Sequence, residues 1–339
     1  MEHEDLDERK AAILKAVVEE YVETAQPVGS QAIARAAGLG VSSATVRNEM
    51  TVLERDGYLR QPHTSAGRVP TDQGYRFFVD HFAPTGGLPP GQKRAVSDFF
   101  SSAHQALEDL LHETSQLLSR VSRHAAMVMG PEPDTALVRS VQLVSLQDRV
   151  VLLVAVLSNG AVEKQVLQLD NSTDDARVNA AGAALDALLR GHPWGTLPEA
   201  RATGDAAVDE VVAAARGVLA GLATDTAVEP LYVGGVSRIA AEHEAFPTSE
   251  SAARLLELLE HQVVVVSLVR ELLDSGLTVS IGSENRLDEL RDCSIVLASY
   301  EVEGGAAGIV GVLGPTRMDY RHALAAVAAV SQQLGRHLS

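Results

Sequence analysis

Small and hydrogen-bonding side chains recur on one side of the segment 41–57. At about 100° per residue, Val46, Met50 and Leu53 fall on one helix face, which we expect to be buried. The opposite face carries Ala44, Arg47, Asn48, Thr51 and Arg55. An amide can pair with adenine and a guanidinium with guanine or phosphate, so this face suits a DNA major groove. Polar residues opposite a core stripe are also typical of any solvated helix, and this pattern alone leaves both interpretations open.

Residues on either side of this face favour DNA. Ser43 and Thr45 lie where phosphates pass a helix N-terminus, and Gly57 provides the helix stop. Two short strands are predicted at 58–62 and 68–71, around a turn at 63–67. Three basic side chains project from this hairpin: Arg60, His63 and Arg68. Arg68 can enter a minor groove or clamp a phosphate.

The elements that must hold this face are two preceding helices. Apolar residues at three- and four-residue spacing predict a first helix over 6–24, and Ser30 caps a second helix over 31–37. A glycine-rich turn at 38–40 leads to the reading helix, which Ser42 or Ser43 caps. Helix, helix, helix and hairpin in this order predict a winged helix-turn-helix.

A Pro/Gly-rich stretch at 83–91 predicts a linker, and a mixed α/β body around a mainly antiparallel sheet follows it. Helices are predicted at 92–124, 174–190, 205–222 and 249–259, and a last helix from about 319. Strands are predicted at 137–146, 150–157, 162–169, 231–233, 277–281, 294–300 and 307–313. The run 263–266 is ambiguous, because its β-branched residues favour a strand while the apolar spacing continues as in a helix.

Charge and composition narrow the class of protein. The net charge of the 339 residues is −17, yet residues 25–78 carry six arginines against four carboxylates. A mildly basic module on an acidic body can bind phosphates locally, although from charge alone the average composition of a solvated surface is the favoured explanation. One cysteine excludes an internal disulfide framework, and no signal peptide or membrane span is recognisable. We expect a cytoplasmic protein that makes no membrane contact.

Other chemistry finds little support. The glycines at 304–311 lie between strands rather than before a helix, so a β-turn is favoured over a phosphate loop. Residues 314–317 suit a helix cap better than an anion site, and Cys293 has no neighbouring base. His104 and His112 do not align on a helix, and no carboxylate cluster completes a metal site. We therefore predict no catalytic site, no cofactor and no metal, and hence no enzyme.

The segment SSATVRNEMTVLERDGYLRQPHTSAGRVPTDQGYRFFVD resembles the N-terminal signature of the HrcA family of heat-inducible transcription repressors. Three later blocks resemble that family too: LYVGGVSRI, IGSENRLDELRDCSIVLASY and GVLGPTRMDYRHAL. The likeness covers nearly the whole chain. Val46 and Val69 stand where isoleucine is commoner, a departure that leaves the mechanism unchanged.

The resemblance implies an α+β multidomain chain. It has a winged helix-turn-helix at 1–82, the linker at 83–91, and a GAF-like α/β domain at 92–190 and 276–339, interrupted by an inserted dimerisation domain at 191–275. It also implies that 263–266 is helical, that the DNA is an inverted-repeat operator upstream of chaperone genes, and that the chaperonin GroEL promotes the active form.

An inverted repeat requires a two-fold homodimer that presents two reading helices to double-stranded DNA. The Ala- and Leu-rich segments 174–190 and 249–273 are candidate interface material, and intradomain core is an equal alternative. The competing function is a ligand-gated winged-helix regulator that senses a metabolite through its GAF-like domain.

Overall fold

The structure is a computed structural model. It describes residues 6–36, 40–64, 66–83, 87–103, 106–131, 137–158, 160–224, 231–241, 246, 248–274, 278–302 and 307–339. The predicted turn residues 38 and 39, His104 and the glycines at 304–305 lie outside these ranges.

The N-terminal part contains α1 (Glu8–Thr24), α2 (Ser30–Ala36), α3 (Ser43–Arg55), β1 (Leu59–Arg60), β2 (Val69–Pro70) and α4 (Asp72–Phe82). The apolar stripe of α1 is fully buried, and the core face of α3 packs against α1 and α2. β1 and β2 pair in antiparallel fashion, over fewer residues than predicted. The hairpin is short because Arg68 pairs with Val28, in the loop before α2, instead of extending β2.

The body contains α5 (Pro90–Ser102), α6 (Leu107–Ser122), β3 (Ala125–Met129), β4 (Val138–Gln147), β5 (Val150–Leu157), β6 (Val162–Gln168), α7 (Asp175–Leu189), α8 (Ala206–Thr224), β7 (Leu231–Gly234), α9 (Val236–Ala241), α10 (Ser249–Glu260), α11 (Gln262–Asp274), β8 (Val279–Ile281), β9 (Cys293–Glu301), β10 (Ala307–Pro315) and α12 (Tyr320–Leu338). This mixed set of helices and antiparallel sheets agrees with the predicted α+β class. The ambiguous run 263–266 is helical.

The single long helix predicted over 92–124 is wrong. The helix stops at Ala103, whose backbone is extended, and resumes at Leu107. One uninterrupted helix of that length would reach about 50 Å, well beyond the roughly 29 Å of α12. The break lets both α5 and α6 pack against α12. The fully buried strand β3, which follows α6, was not predicted.

A five-stranded antiparallel sheet, in the order β7-β3-β10-β9-β8, forms the centre of the body. Along each strand, alternate side chains enter different cores. Val128 and Val310 belong to the core that holds α5, α6 and α12, whereas Met127 and Leu297 belong to the core with α10 and α11. Both faces of this sheet are therefore covered by helices.

A third core surrounds the three-stranded sheet β4-β5-β6 and its helices α7 and α8. The apolar cores group the elements of the body in the following way. β7 and α9–α11 pack with the five-stranded sheet, whereas β4–β6 and α7 pack with α8. The reason is the antiparallel pairing of β3 with β7, which makes everything between these two strands an insertion.

Residues on both sides of 84–86 in the predicted linker contact the rest of the fold. Ala83 is buried, Leu88 packs against the core that the N-terminal helices share with the body, and Pro90 opens α5. Residues 84–86 lie outside the described ranges. Among the described helices, none is long and apolar enough to cross a lipid bilayer.

Candidate nucleic-acid interface

The outer face of α3 is open along its whole length. Val46, Met50 and Leu53 are buried, as the helical wheel predicts. The residues of the opposite face are all exposed: Ala44, Arg47, Asn48, Thr51 and Arg55. A straight row of small and polar side chains on a helix supported from behind has the shape and chemistry that the major groove requires.

Two residues on this face make local contacts. The Thr51 hydroxyl donates to the Arg47 carbonyl oxygen at 3.0 Å, and Arg55 pairs with the neighbouring Asp56 at 3.1 Å. Within the described residues, the side chains of Arg47 and Asn48 make no recorded hydrogen bond or ion pair. Both side chains are therefore available to a ligand.

The start of α3 is fixed by Ser42, which settles the choice of capping residue that the sequence left open. The Ser42 hydroxyl accepts the Thr45 backbone N–H at 3.2 Å and lies 3.0 Å from the Thr45 hydroxyl. Ser43 and Thr45 are half-buried at this helix end. The first-turn amides and the positive end of the helix dipole favour an anion such as a phosphate here.

The hairpin brings two of its three predicted basic residues to the surface. Arg60 and His63 are exposed. The Arg68 side chain is only 18% exposed, because its Nε pairs with a Glu54 carboxylate oxygen at 2.8 Å. As the structure stands, Arg68 ties the hairpin to α3 instead of reaching outward.

The approach of the hairpin to the rest of the N-terminal part depends on Gly67. A Cβ atom at this position would lie 2.4 Å from the carbonyl oxygen of Val28. Two backbone hydrogen bonds join Arg68 and Val28, at 2.8 and 2.9 Å. Only glycine permits this contact, so the hairpin has a fixed place beside α3.

A groove of about 430 Å³ separates the hairpin from α3. Arg47 and Thr51 line it from the helix, and Gln61, Thr64 and Arg68 from the hairpin. Gln61 shapes the hairpin loop, because its amide nitrogen donates to the carbonyl oxygens of Thr64 and Ala66 at 3.0 and 2.9 Å. Sequence reasoning missed Gln61, since no local signal marks a side chain that closes a loop.

Acidic side chains near this face are neutralised inside the N-terminal part. Glu54 pairs with Arg68, and Glu49 lies 3.6 Å from Arg9 of α1. The exposed arginines Arg47 and Arg60 therefore face solvent without competing carboxylates among their recorded contacts. The surface formed by α3 and the hairpin is suited to a polyanion even though the whole chain is acidic.

Other features considered from the sequence were a metal site, Cys293 and residues 314–317. The described residues contain no group of three or more His, Cys, Asp or Glu side chains that could hold a metal ion. Burial raises the pKa of the Cys293 thiol to about 12, so it is a poor nucleophile. Arg317 donates to the Val22 carbonyl oxygen at 3.3 Å, which gives it a structural role.

Known proteins resemble this chain over nearly its full length. The family profile described as HrcA protein C terminal domain matches residues 108–324. Similar proteins named "Heat-inducible transcription repressor HrcA" occur in Nocardia farcinica, with 38% identity, and in Kineococcus radiotolerans, with 40% identity. The alignments cover 98% of this chain and 97% and 99% of those relatives, respectively.

A relative of the same name from Moorella thermoacetica is 36% identical over 98% of both chains. The crystal structure of a hypothetical protein at 2.2 Å resolution has the same fold. It matches with a TM-score of 0.64 and 21% identity, over 98% of this chain and 99% of that one.

Proposed function

Because the chain belongs to the HrcA family of heat-inducible transcription repressors, we propose that its N-terminal part is a winged helix-turn-helix that binds an inverted-repeat operator. The observation that carries the proposal is the open outer face of α3 beside a hairpin with exposed basic residues. Repression is a non-enzymatic role. Family membership does not favour the alternative of a metabolite-gated regulator.

Each candidate residue has a role in this proposal. Asn48 and Arg47 read base edges, Ala44 and Thr51 allow close approach, and Arg55 contacts the DNA backbone. Ser43 and Thr45 bind phosphate at the start of α3. Arg60 and His63 contact the backbone from the hairpin. Arg68 contributes by holding the hairpin against Glu54, and it contacts DNA only if that ion pair exchanges for a phosphate.

The experiment is a titration of the full-length protein with the inverted repeat of its host's chaperonin promoter. We expect Asn48→Ala and Arg47→Ala each to weaken binding by about 1–3 kcal/mol without changing the thermal unfolding midpoint. Arg94→Ala removes an exposed arginine of α5 and is the charge-matched control. Unchanged operator affinity in both α3 variants would exclude α3 as the reading helix.

We also propose a homodimer, formed through the outer face of the three-stranded sheet. One face of this sheet packs on α7 and α8, whereas the other exposes large apolar side chains: Val144, Leu146, Val162 and Val166. Val144 and Val166 flank Leu152 in one cross-strand row. The two helical segments considered from sequence, 174–190 and 249–273, bury their apolar faces within this chain instead.

Sedimentation tests the dimer. Val166→Lys puts a charge in the centre of the apolar face, and we expect a monomer at concentrations where the unmodified chain is a dimer. Asn179→Lys adds the same charge at an exposed polar position of α7, on the opposite side of the sheet, and is the control. If Val166→Lys is still a dimer, the interface lies on another surface of the chain.

The domain boundaries that we propose follow the cores. The winged helix-turn-helix occupies 1–82. The GAF-like domain combines α5 to β3 with β7 to α12, and the inserted dimerisation domain runs from β4 to α8. The support is the separate core of β4–α8 and the pairing of β3 with β7.

For regulation, we propose that heat removes the operator-binding dimer and that the chaperonin GroEL restores it. The support is the name "heat-inducible" shared by the relatives, together with the small stability margin of folded domains in general. Operator binding is measured after a heat step, with and without chaperonin. Equal recovery in both samples would refute the role of the chaperonin.

A further inference from the structure

The reading module, by which we mean the N-terminal part from α1 to α4, is held on the body by an ionic contact. This contact joins α4 to a loop more than 200 residues away along the chain. The Arg76 guanidinium donates to both carboxylate oxygens of Glu284, with Nε at 2.7 Å, and to the Val279 carbonyl oxygen at 2.7 Å. A third partner is Asp80, one turn along α4, at 3.2 Å. The Arg76 side chain is only 17% exposed, so this contact is shielded from solvent.

The first turn of α4 contacts the same loop. Asp72 accepts the Ser283 backbone N–H at 2.9 Å. A Cβ atom on Gly282 would lie 2.4 Å from the Asp72 carboxylate, and Gly282 has a φ of +53°. Glycine therefore fits this position for two independent reasons. We call the contact of Asp72 and Arg76 with residues 279–284 the α4 joint.

The loop on the body side is internally rigid. The buried amide nitrogen of Asn285 donates to the carbonyl oxygens of Gly282, Leu290 and Cys293 at 2.9–3.0 Å. Its oxygen accepts from the Ser280 hydroxyl at 2.7 Å. Glu284 also accepts the Ile281 backbone N–H at 2.9 Å, which fixes the carboxylate that meets Arg76. The loop therefore presents preformed partners to α4.

Further contacts from the region of α12 reinforce the same docking. Arg321 donates to the Phe82 carbonyl oxygen at 3.0 Å and pairs with Glu19 of α1 at 2.8 Å. A continuous apolar core includes residues of α1 and α4 together with residues of α12 and the five-stranded sheet. The orientation of the N-terminal part on the body is thus determined at several separate points.

Docking leaves the reading face free. The hydrogen bonds and ion pairs recorded for α3 side chains within the described ranges all stay inside the N-terminal part. A rigid attachment behind α4 combined with an open face on α3 determines where the reading helix points relative to the body. An inverted repeat needs this, because its two half-sites have a fixed separation.

We propose that Asp72, Arg76 and Glu284 are positioning residues for operator binding, which lock each reading helix at the orientation that matches the spacing of the inverted repeat. The proposal rests on the proposed function. When the module of one subunit has bound, the α4 joint of the other subunit keeps the second module at a high effective concentration over its half-site. Breaking the α4 joint loosens the orientation of the module on the body and lowers that concentration without altering any DNA-contacting atom.

The test compares two duplexes, the full inverted repeat and a single half-site, in titrations of the full-length dimer. We expect Arg76→Ala and Glu284→Ala each to weaken binding to the inverted repeat by about tenfold and binding to the half-site by less than about twofold. The double variant should lose no more than either single variant, since both changes break one contact. Arg291→Ala, which breaks a local ion pair with Asp288 in the same region, should change neither affinity.

Several outcomes would overturn the proposal. Equal losses on both duplexes would mean that the joint supports only the fold of the module, and unchanged affinities in folded variants would mean that it positions nothing. If Arg76→Ala fails to fold, Glu284→Gln keeps the side-chain shape while removing the charge, and the same two duplexes decide. An unmodified protein that binds neither duplex would refute the proposed function itself. This result differs from one in which only the positioning role of the α4 joint is refuted.

Discussion

At the scale of single residues, Tyr75 and Tyr320 lie ring against ring where α4 meets α12, with centroids 5.6 Å apart. Both rings are buried, but their hydroxyls differ. The Tyr320 hydroxyl lies 2.7 Å from the Ser294 hydroxyl and donates to the Thr316 carbonyl oxygen at 2.6 Å. The Tyr75 hydroxyl has no hydrogen-bond partner among the described residues. Burial raises the pKa of both phenols well above 10.

This difference gives a matched pair of substitutions. Tyr320→Phe removes two hydrogen bonds and leaves the buried Ser294 hydroxyl and the Thr316 carbonyl oxygen without this partner, so we expect the free energy of unfolding to fall by about 1–2 kcal/mol. Tyr75→Phe removes an unsatisfied hydroxyl, and we expect a change between zero and a gain of about 1 kcal/mol. Urea unfolding of both variants measures these values. An equal loss in Tyr75→Phe would indicate that its hydroxyl is satisfied in solution.

At the scale of elements, the cap at the start of α3 lies directly beside residues of the proposed binding surface. Ser42 caps the helix, and the next turn carries Ser43 and Thr45, which we propose as phosphate contacts. At the other end, Gly57 has a φ of +86°, and its backbone N–H donates to the Glu54 carbonyl oxygen at 3.2 Å. Both ends of α3 are therefore set by local chemistry.

The capping role of Ser42 can be separated by experiment from the proposed DNA-binding role of Ser43. Ser42→Ala removes the acceptor for the Thr45 N–H, and we expect it to lower the free energy of unfolding by about 1 kcal/mol. Ser43→Ala, one residue inside the helix, should change stability by less than about 0.5 kcal/mol while weakening operator binding. Thermal unfolding without DNA and titration with DNA distinguish the two. Equal destabilisation by both variants would contradict Ser42 as the cap.

At the scale of the whole molecule, the acidic body contains a histidine that couples its stability to pH. Burial and the neighbouring His322 lower the pKa of His124 from 6.5 to about 4, with a smaller contribution from Arg238, while Asp319 opposes the shift. The site is tight, because a Cβ atom on Gly314 would lie 2.8 Å from the His124 ring. His124 is therefore neutral in the folded chain at pH 7.

The sign of the pH effect follows from this lowered pKa. Between about pH 6.5 and pH 4 the unfolded chain takes up a proton on His124 that the folded chain does not, so acid destabilises the fold. We expect this residue to account for a loss of at most about 2 kcal/mol between about pH 7.5 and about pH 5. Unfolding of the unmodified chain and of His124→Gln at both pH values measures it. An identical pH dependence in the two proteins would contradict the lowered pKa.

Local patterns in the sequence determined the elements of the N-terminal part. The spacing of Val46, Met50 and Leu53 fixed the buried face of α3 and therefore its outer face, because helical periodicity directly reflects which side is buried. The same reasoning found most strands and helices of the body. It failed at Ala103 and at β3, where the length of α12 and the pairing of strands decide the outcome.

The sequence alone thus determined which segments are helices and strands, which face of α3 is free, and, through four blocks of residues, the family. Only the tertiary structure decided that Arg68 pairs with Glu54, that β4–α8 is an insertion between β3 and β7, and that Arg76 meets Glu284. The physical reason is the separation along the chain between the residues that interact. Periodicity and caps depend on neighbours within a few turns, whereas these contacts join distant residues whose meeting depends on how all the intervening elements pack.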